Sequence, residues 1–305
     1  MTRPPKNIAQ SVRARLAQRA RDRGEDFQLV LTRYANERLL YRLATSAHAE
    51  HFILKGAALF TIWVGQPHRP TRDLDLLGFG DAGEGHLREV FVDVLGRTMP
   101  DDGVVFDVDG LEVGPIRDDQ EYGGVRVTTT AAIAAARVRI QVDIGFGDAV
   151  TPSAELVDFP TLLDFPAPRL RCYPRETVIA EKIEAMVQLG MANSRMKDFF
   201  DIVMLADRFP FDGELLARAI RATFTRRLTA FPHGLPVAFT DVFANDASKR
   251  TQWTAFVRKA GIGTALDLPT TIQRLATFTS KPLVMASTGA LWEATWLAGG
   301  PWSDA

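Results

Sequence analysis

Arg72-Asp73-Leu74-Asp75-Leu76-Leu77 places an acidic residue at every second position of an otherwise apolar run. An extended strand turns successive side chains to opposite faces. Asp73 and Asp75 are therefore expected together on one side, with Leu74 and Leu76 entering a core. Neighbouring carboxylates on such a strand repel and resist desolvation unless a cation or hydrogen bonds compensate. A divalent ion does this, and Mg2+ commonly takes one or two carboxylates from a protein and the rest of its shell from water and substrate phosphates.

The residues before this run bear on the same chemistry. His51-Phe52-Ile53-Leu54 reads as a short strand, Lys55-Gly56 as a turn, and Ala57 to Val64 as a small helix ended by Gly65, followed by a polar turn, QPHRPT (66–71). Such a strand–Lys–Gly–helix unit offers backbone N–H groups at a helix start and the point charge of Lys55, both suited to phosphate. Further upstream, Asp26 to about Ala47 has helical spacing, and Ile8, Val12 and Leu16 fall four apart. The N-terminus is thus expected to be a basic amphipathic helix, not a secretory signal.

Downstream, a helix is expected between Gly85 and Leu95, then β-like runs at Val104–Val108, Gly124–Thr129 and Ala136–Ile144. In the last of these Val138, Ile140, Val142 and Ile144 face one side and Arg137, Arg139, Gln141 and Asp143 the other. If that strand neighbours the first, Asp143 adds a third carboxylate, enough to hold one or two metals for in-line displacement at phosphorus.

Four prolines between Phe159 and Pro174 mark a junction, and the texture beyond it is helical. Val178, Ile179, Ile183, Met186 and Val187 form a stripe from Pro174 to Gly190. Ser194 is positioned to cap a second helix closed by Pro210, with further helical stretches at 213–224, 248–261 and 268–280. The expected class is α+β, with a mixed-sheet domain over 1–170 and an α-helical domain over 171–305. Lys182 interrupts the first apolar stripe and needs an anionic partner. Asp198 and Asp201, three apart on the next helix, can face one groove. Two readings are open: an ion pair tying two helices, or a phosphate-directed lysine oriented by Asp201.

Among the 305 residues 46% are hydrophobic and 24% charged, with 36 basic against 37 acidic side chains. This suits a globular chain and argues against global attraction to nucleic acid or membrane, while leaving room for a local basic face. Cys172 is the single cysteine, which excludes a disulfide framework and a cysteine-based zinc finger and fits a reducing, cytoplasmic compartment. No run approaches the ~20 apolar residues that span a bilayer. His48, His51, His68, His86 and His233 lack metal-ligand spacing. There is no P-loop, no nucleophile elbow, and only an incomplete glycine pattern at Gly78-Phe79-Gly80. The tryptophans read as packing residues. Arg218, Arg221, Arg226 and Arg227, with Phe224 among them, read as a solvated face or an RNA grip, the basic N-terminal helix being the other place for such a grip.

FILKGAALF (52–60), RPTRDLDLL (69–77), RIQVDIGFGD (139–148), YPRETVIAEKIEAMVQLG (173–190) and SRMKDFFDIVML (194–205), in this order, resemble the AbiEii/AbiGii nucleotidyltransferase toxins of bacteria. That family includes the mycobacterial MenT toxins and belongs to the DNA-polymerase-β-like superfamily. The resemblance runs from about Leu31 to Ala206. It implies an enzyme that uses Mg2+ and a nucleoside triphosphate to attach nucleotides to an acceptor, the 3′ end of tRNA in well-understood members, and a cognate antitoxin partner. Residue by residue, Lys55 matches the lysine of the K-G-G element, Asp73 and Asp75 its D-x-D, Lys182 the lysine of the A-x-K-L-type helix, and Asp198 and Asp201 its D-x-x-D. Ala57 and Ala58 depart from K-G-G and from the small hydroxyl residue that often follows it.

The resemblance implies Asp73, Asp75, Lys55, Lys182 and Asp201 as catalytic residues. Lys55, Gly56, Arg72, Lys182 and Asp198 are expected to bind nucleotide, and Asp73, Asp75 and Asp143 to hold Mg2+. The acceptor is expected in a cleft between the two halves, with no membrane involved. The rivals are a nucleotidyltransferase acting on a small molecule or protein, and a decayed binding or partner protein.

Overall fold

A computed structural model describes residues 7–65, 69–116, 123–263 and 266–304. The turn expected from Gln66-Pro67-His68 lies outside the described residues. The chain divides into two units: residues 1–147 with 155–172, and 148–154 with 173–305. The segment 148–154, assigned by the sequence reading to the first domain, thus packs with the second.

In the first unit α1 (Ile8–Arg23) begins at Asn7, whose side chain accepts from the Gln10 N–H, and ends at Gly24. The helix α2 (Phe27–Ala44) is capped in the same way by Asp26. Then come β1 (Phe52–Lys55), a 3₁₀ turn at Gly56–Ala58, α3 (Leu59–Val64), β2 (Leu74–Gly78) and α4 (Glu84–Gly96). The strands β3 (Val105–Phe106), β4 (Glu112–Pro115), β5 (Val125–Ile133), β6 (Ala136–Phe146), β7 (Glu155–Asp158) and β8 (Arg169–Cys172) complete the unit.

These strands form a mixed sheet in the order β3-β5-β6-β2-β1-β8-β7, with β4 also on β5. The strands β2 and β6 run parallel, as do β1 and β8, and the other pairs are antiparallel. The alternation expected in β6 is present: Val138, Ile140, Val142 and Ile144 are buried, whereas Arg137 and Arg139 are exposed and Asp143 half-buried. The apolar face packs against α2. That helix is buried almost all round because its charges are answered: Arg42 pairs with Asp102 at 2.8 Å and Glu37 with Arg38 at 2.7 Å.

In the second unit α5 (Arg175–Leu189) and α6 (Met196–Arg208) are followed by β9 (Phe211–Asp212), α7 (Gly213–Arg226), α8 (Asp241–Asn245), α9 (Ala247–Ala260), α10 (Leu268–Thr288), β10 (Ala294–Trp296) and β11 (Trp302–Asp304). Ser194 does not cap α6. Arg195 holds that position, and its N–H is taken by Asn193 Oδ1 at 2.8 Å. Nor is the unit wholly helical, since β9, β10 and β11 form a small antiparallel sheet.

The helix α10 runs eight residues past the expected end at Ser280, through Pro282. Proline leaves the carbonyl four residues earlier without its donor. Here that carbonyl is Phe278's, and the Trp302 indole N–H donates to it at 2.8 Å. Trp296 likewise donates to Ala206 O at 2.7 Å, in the last turn of α6. The tryptophans therefore pack and also satisfy helix carbonyls.

The segment 148–154 is held to its unit by charge. Arg227 donates to Asp148 Oδ1 at 2.9 Å and to Glu184 Oε2 at 2.7 Å, and Thr151 and Thr177 exchange two hydrogen bonds. Arg227 is thus committed to a buried ion cluster, and Phe224 is buried against Phe231, so neither belongs to an RNA-gripping face. Among the described residues no helix is long and apolar enough to cross a membrane.

Candidate active site

Strand pairing in the first unit sets four charged residues in one row. Lys55 of β1 is the register partner of Asp75 of β2, Asp75 of Asp143 of β6, and Asp143 of Arg126 of β5. Register partners point to the same face, so the order of charges across four strands is plus, minus, minus, plus. The central carboxylates are each flanked by a cation, which answers the repulsion expected of adjacent acids.

Arg126 binds Asp143 through two contacts, Nε to Oδ1 and Nη2 to Oδ2, both at 2.8 Å, and the Gln141 amide adds weaker contacts at 3.3 Å. This geometry is the strong bidentate form of the guanidinium–carboxylate bond. Asp143 therefore lies beside Asp75, as a third carboxylate would, but with both oxygens engaged. Among the described residues no group of three His, Cys, Asp or Glu side chains is placed to hold a metal. Asp73, Asp75 and Asp143 are the carboxylates expected to hold an ion, the last of them also engaged by Arg126. Two of these carboxylates match what Mg2+ takes from a protein when phosphates and water supply the rest. Arg126 was not singled out from sequence. Its signal is position: it alternates with Val125 and Val127 on a strand whose register carries it opposite Asp143.

Asp73 does not lie in the strand. Pairing of β2 begins at Leu74, and two residues before it the Arg72 carbonyl accepts from Asn36 Nδ2 at 2.9 Å. The register with β1 ends at the Lys55–Asp75 pair, because Gly56 turns the chain away with φ +72°. Asp73 is consequently exposed and Asp75 half-buried, in place of two equivalent positions on one strand face. Arg72 is exposed beside them.

Gly56 is required twice over. A positive φ disfavours any residue with a Cβ. In addition, a Cβ there would collide with the Asp75 carboxylate, lying 2.6 Å from its Cγ and 2.8 Å from its Cβ. The alanines that replace the second glycine of K-G-G and its hydroxyl neighbour, Ala57 and Ala58, are buried helical-turn residues and carry no such demand. Gly56→Ala is expected to cost about 2 kcal/mol or more of folding stability. Adding Asp75→Ala should recover the part due to the carboxylate, leaving the backbone term and the 2.8 Å contact with the Cβ of residue 75. Urea denaturation of the two singles and the double checks this, and strictly additive losses would refute the contact.

In the second unit Lys182 of α5 lies between two carboxylates of α6. Its ammonium donates to Asp198 Oδ1 in a very short contact and to Asp201 Oδ2 at 2.9 Å. The lysine side chain is 15% exposed and that of Asp201 0%. The spacing argument is met: residues three apart on α6 face one groove and supply the anions that a lysine in an apolar stripe needs. The sequence-predicted site residues thus form two groups, Lys55, Gly56, Asp73, Asp75 and Asp143 in one unit and Lys182, Asp198 and Asp201 in the other.

A family model described as nucleotidyl transferase AbiEii toxin, type IV toxin–antitoxin system, matches residues 38–276. Among solved structures, a protein from H. pylori assigned as a nucleotidyltransferase is similar with a TM-score of 0.50 at 15% identity, over 87% of this chain and 96% of that one. JHP933 from Helicobacter pylori follows with a TM-score of 0.49 at 16% identity, over 87% and 94%. At that identity the first likeness speaks for the fold alone, and the second carries no argument. None of the curated proteins matches the sequence significantly. The matched stretch includes the Lys55-Gly56 turn, both aspartates of β2 and its approach, and the Lys182 triad, and on this match the chain belongs to the AbiEii nucleotidyl transferase toxin family and is a nucleotidyltransferase.

Proposed function

We propose that this chain is the toxin of a type IV toxin–antitoxin, abortive-infection pair: a cytoplasmic, Mg2+-dependent enzyme that moves nucleotides from a nucleoside triphosphate to an RNA acceptor, the 3′ end of tRNA. The observation that carries the reading is the register pairing of Lys55 with Asp75 beside the Gly56 turn. It sets a phosphate-attracting ammonium next to a metal-attracting carboxylate on one rigid sheet, and preorganised charge of this kind is what phosphoryl transfer draws on. Asp73 and Asp75 would hold the ion, with Asp143 as a third carboxylate. When bound, Mg2+ would offset the charge on the phosphoryl oxygens and on the departing pyrophosphate.

Lys55, with Gly56 letting the backbone approach, binds the triphosphate, and Arg72 adds charge at its edge. Lys182 serves the substrate phosphates as well, with Asp198 and Asp201 keeping its ammonium oriented. Asp143 anchors Arg126 and keeps the row of charges in register. A type IV toxin implies an antitoxin partner.

Incubation of the purified chain with each labelled triphosphate and total RNA should place label in RNA of tRNA size, and chelating Mg2+ should prevent it. Label appearing only with RNA-free lysate would move the acceptor to a protein or small molecule. Failure of every triphosphate to bind in the presence of Mg2+ would instead leave a decayed partner protein.

A further inference from the structure

A solvent-open recess of about 60 Å3 lies in the first unit among α1, α2, α3, the approach to β2 and the loop 159–162. Arg19 and Arg23 of α1 and Arg33 of α2 line it, together with Asp73. Burial and the nearby charges of Arg23 and Arg33 hold the Arg19 guanidinium below its usual range, a sign of how closely the three cations gather.

Acidic neighbours offset part of this charge, since Asp73 and Glu37 line the same recess. Glu25 engages Arg33 at 2.5 Å. Glu37 is turned to Arg38 at 2.7 Å and accepts the Leu162 N–H at 2.7 Å, and burial pushes its carboxyl up to about 7. One donor of a lining residue, Arg19 Nε, is buried with no hydrogen-bond partner among the described residues. Phe159 and Leu162 add apolar side chains to the lining. Clustered guanidinium groups together with apolar side chains suit a phosphate attached to a sugar or base.

Position decides which phosphate. Leu74 lines the recess, while its neighbour Asp75 points to the opposite face of the sheet with Lys55. Two phosphate-attracting places therefore flank the sheet and meet at Asp73. The Lys55 side is taken by the triphosphate in the reading above, on which this inference rests. We propose that the recess grips a backbone phosphate of the RNA acceptor close to its reacting end, through Arg19, Arg23 and Arg33. All three precede residue 38, where the family match begins, so this acceptor subsite is built from the chain's own N-terminal helices.

The test uses the full chain and fluorescence anisotropy of a short end-labelled single-stranded RNA. Arg19→Gln with Arg23→Gln should raise its Kd about tenfold or more and lower the slope of log K against log salt by about 0.7, the value for one phosphate of a single strand. Arg23 is exposed, so Arg23→Glu alone leaves the fold intact and should also weaken RNA binding. Binding of a labelled triphosphate with Mg2+ should not change. Unchanged RNA binding in both variants, a loss that falls on the triphosphate, or no RNA binding by the unaltered chain overturns the proposal. If the unaltered chain transfers label to RNA but the variants bind RNA normally, the recess fails and the enzyme reading stands. If the variants lose RNA binding while no transfer occurs with any acceptor, the recess stands and the enzyme reading fails.

Discussion

Asp75→Asn is expected to lower nucleotide transfer at least about 10³-fold while leaving the melting temperature nearly unchanged. The first half follows from charge. The amide keeps the shape of the side chain but removes the negative charge that balances Lys55 across β1 and β2 and that would bind the ion. An ion acting on a transferring phosphoryl group is worth several kcal/mol of transition-state stabilisation, and each 1.36 kcal/mol is a factor of ten. The second half follows from the row of charges. Asp75 stands between Lys55 and Asp143, so neutralising it gives up one attraction and one repulsion, and the two changes largely offset. Activity lost at nearly constant stability marks a residue kept for chemistry and not for the fold. Single-turnover incorporation and a thermal melt on the same sample check both halves. Retained transfer would remove Asp75 from the site.

How far this site could be read in advance depended on how local each signal was. The alternation of β6, the Lys55-Gly56 turn and the helical spacing of Lys182, Asp198 and Asp201 all lie within a few residues of sequence, and the corresponding elements are present. What escaped depends on partners far along the chain. The strand β2 starts only at Leu74, and Asn36, 36 residues before Arg72, takes the Arg72 carbonyl. Asp143 is engaged because the β5–β6 register brings Arg126 opposite, and a register cannot be read from one strand alone. The segment 148–154 joins the second unit through Arg227, 79 residues beyond Asp148. The run of α10 through Pro282 depends on an indole donor 24 residues beyond the orphaned carbonyl. The short strands β9, β10 and β11, two or three residues each, are below the length at which a period of two can be recognised.

Lys182→Ala is expected to destabilise the second unit by about 3–5 kcal/mol, the usual cost of removing one partner from a buried ion cluster. The variant leaves Asp198 and Asp201 on one face of α6 with their shared cation gone, and Asp201 has no exposure through which water could compensate. A neutral replacement of the whole cluster, Lys182→Met with Asp198→Asn and Asp201→Asn, should recover most of the loss, because buried ion clusters are often no more stable than neutral residues of similar volume. That triple variant also divides the two roles open to Lys182. A cluster serving only to tie α5 to α6 predicts near-normal transfer once stability returns. A lysine that serves the substrate phosphates predicts a well-folded protein whose transfer is down about 10²-fold or more, the scale on which preorganised charge contributes. The second outcome is the one expected, and urea denaturation of the single and triple variants together with labelled-nucleotide incorporation by the triple variant decides it.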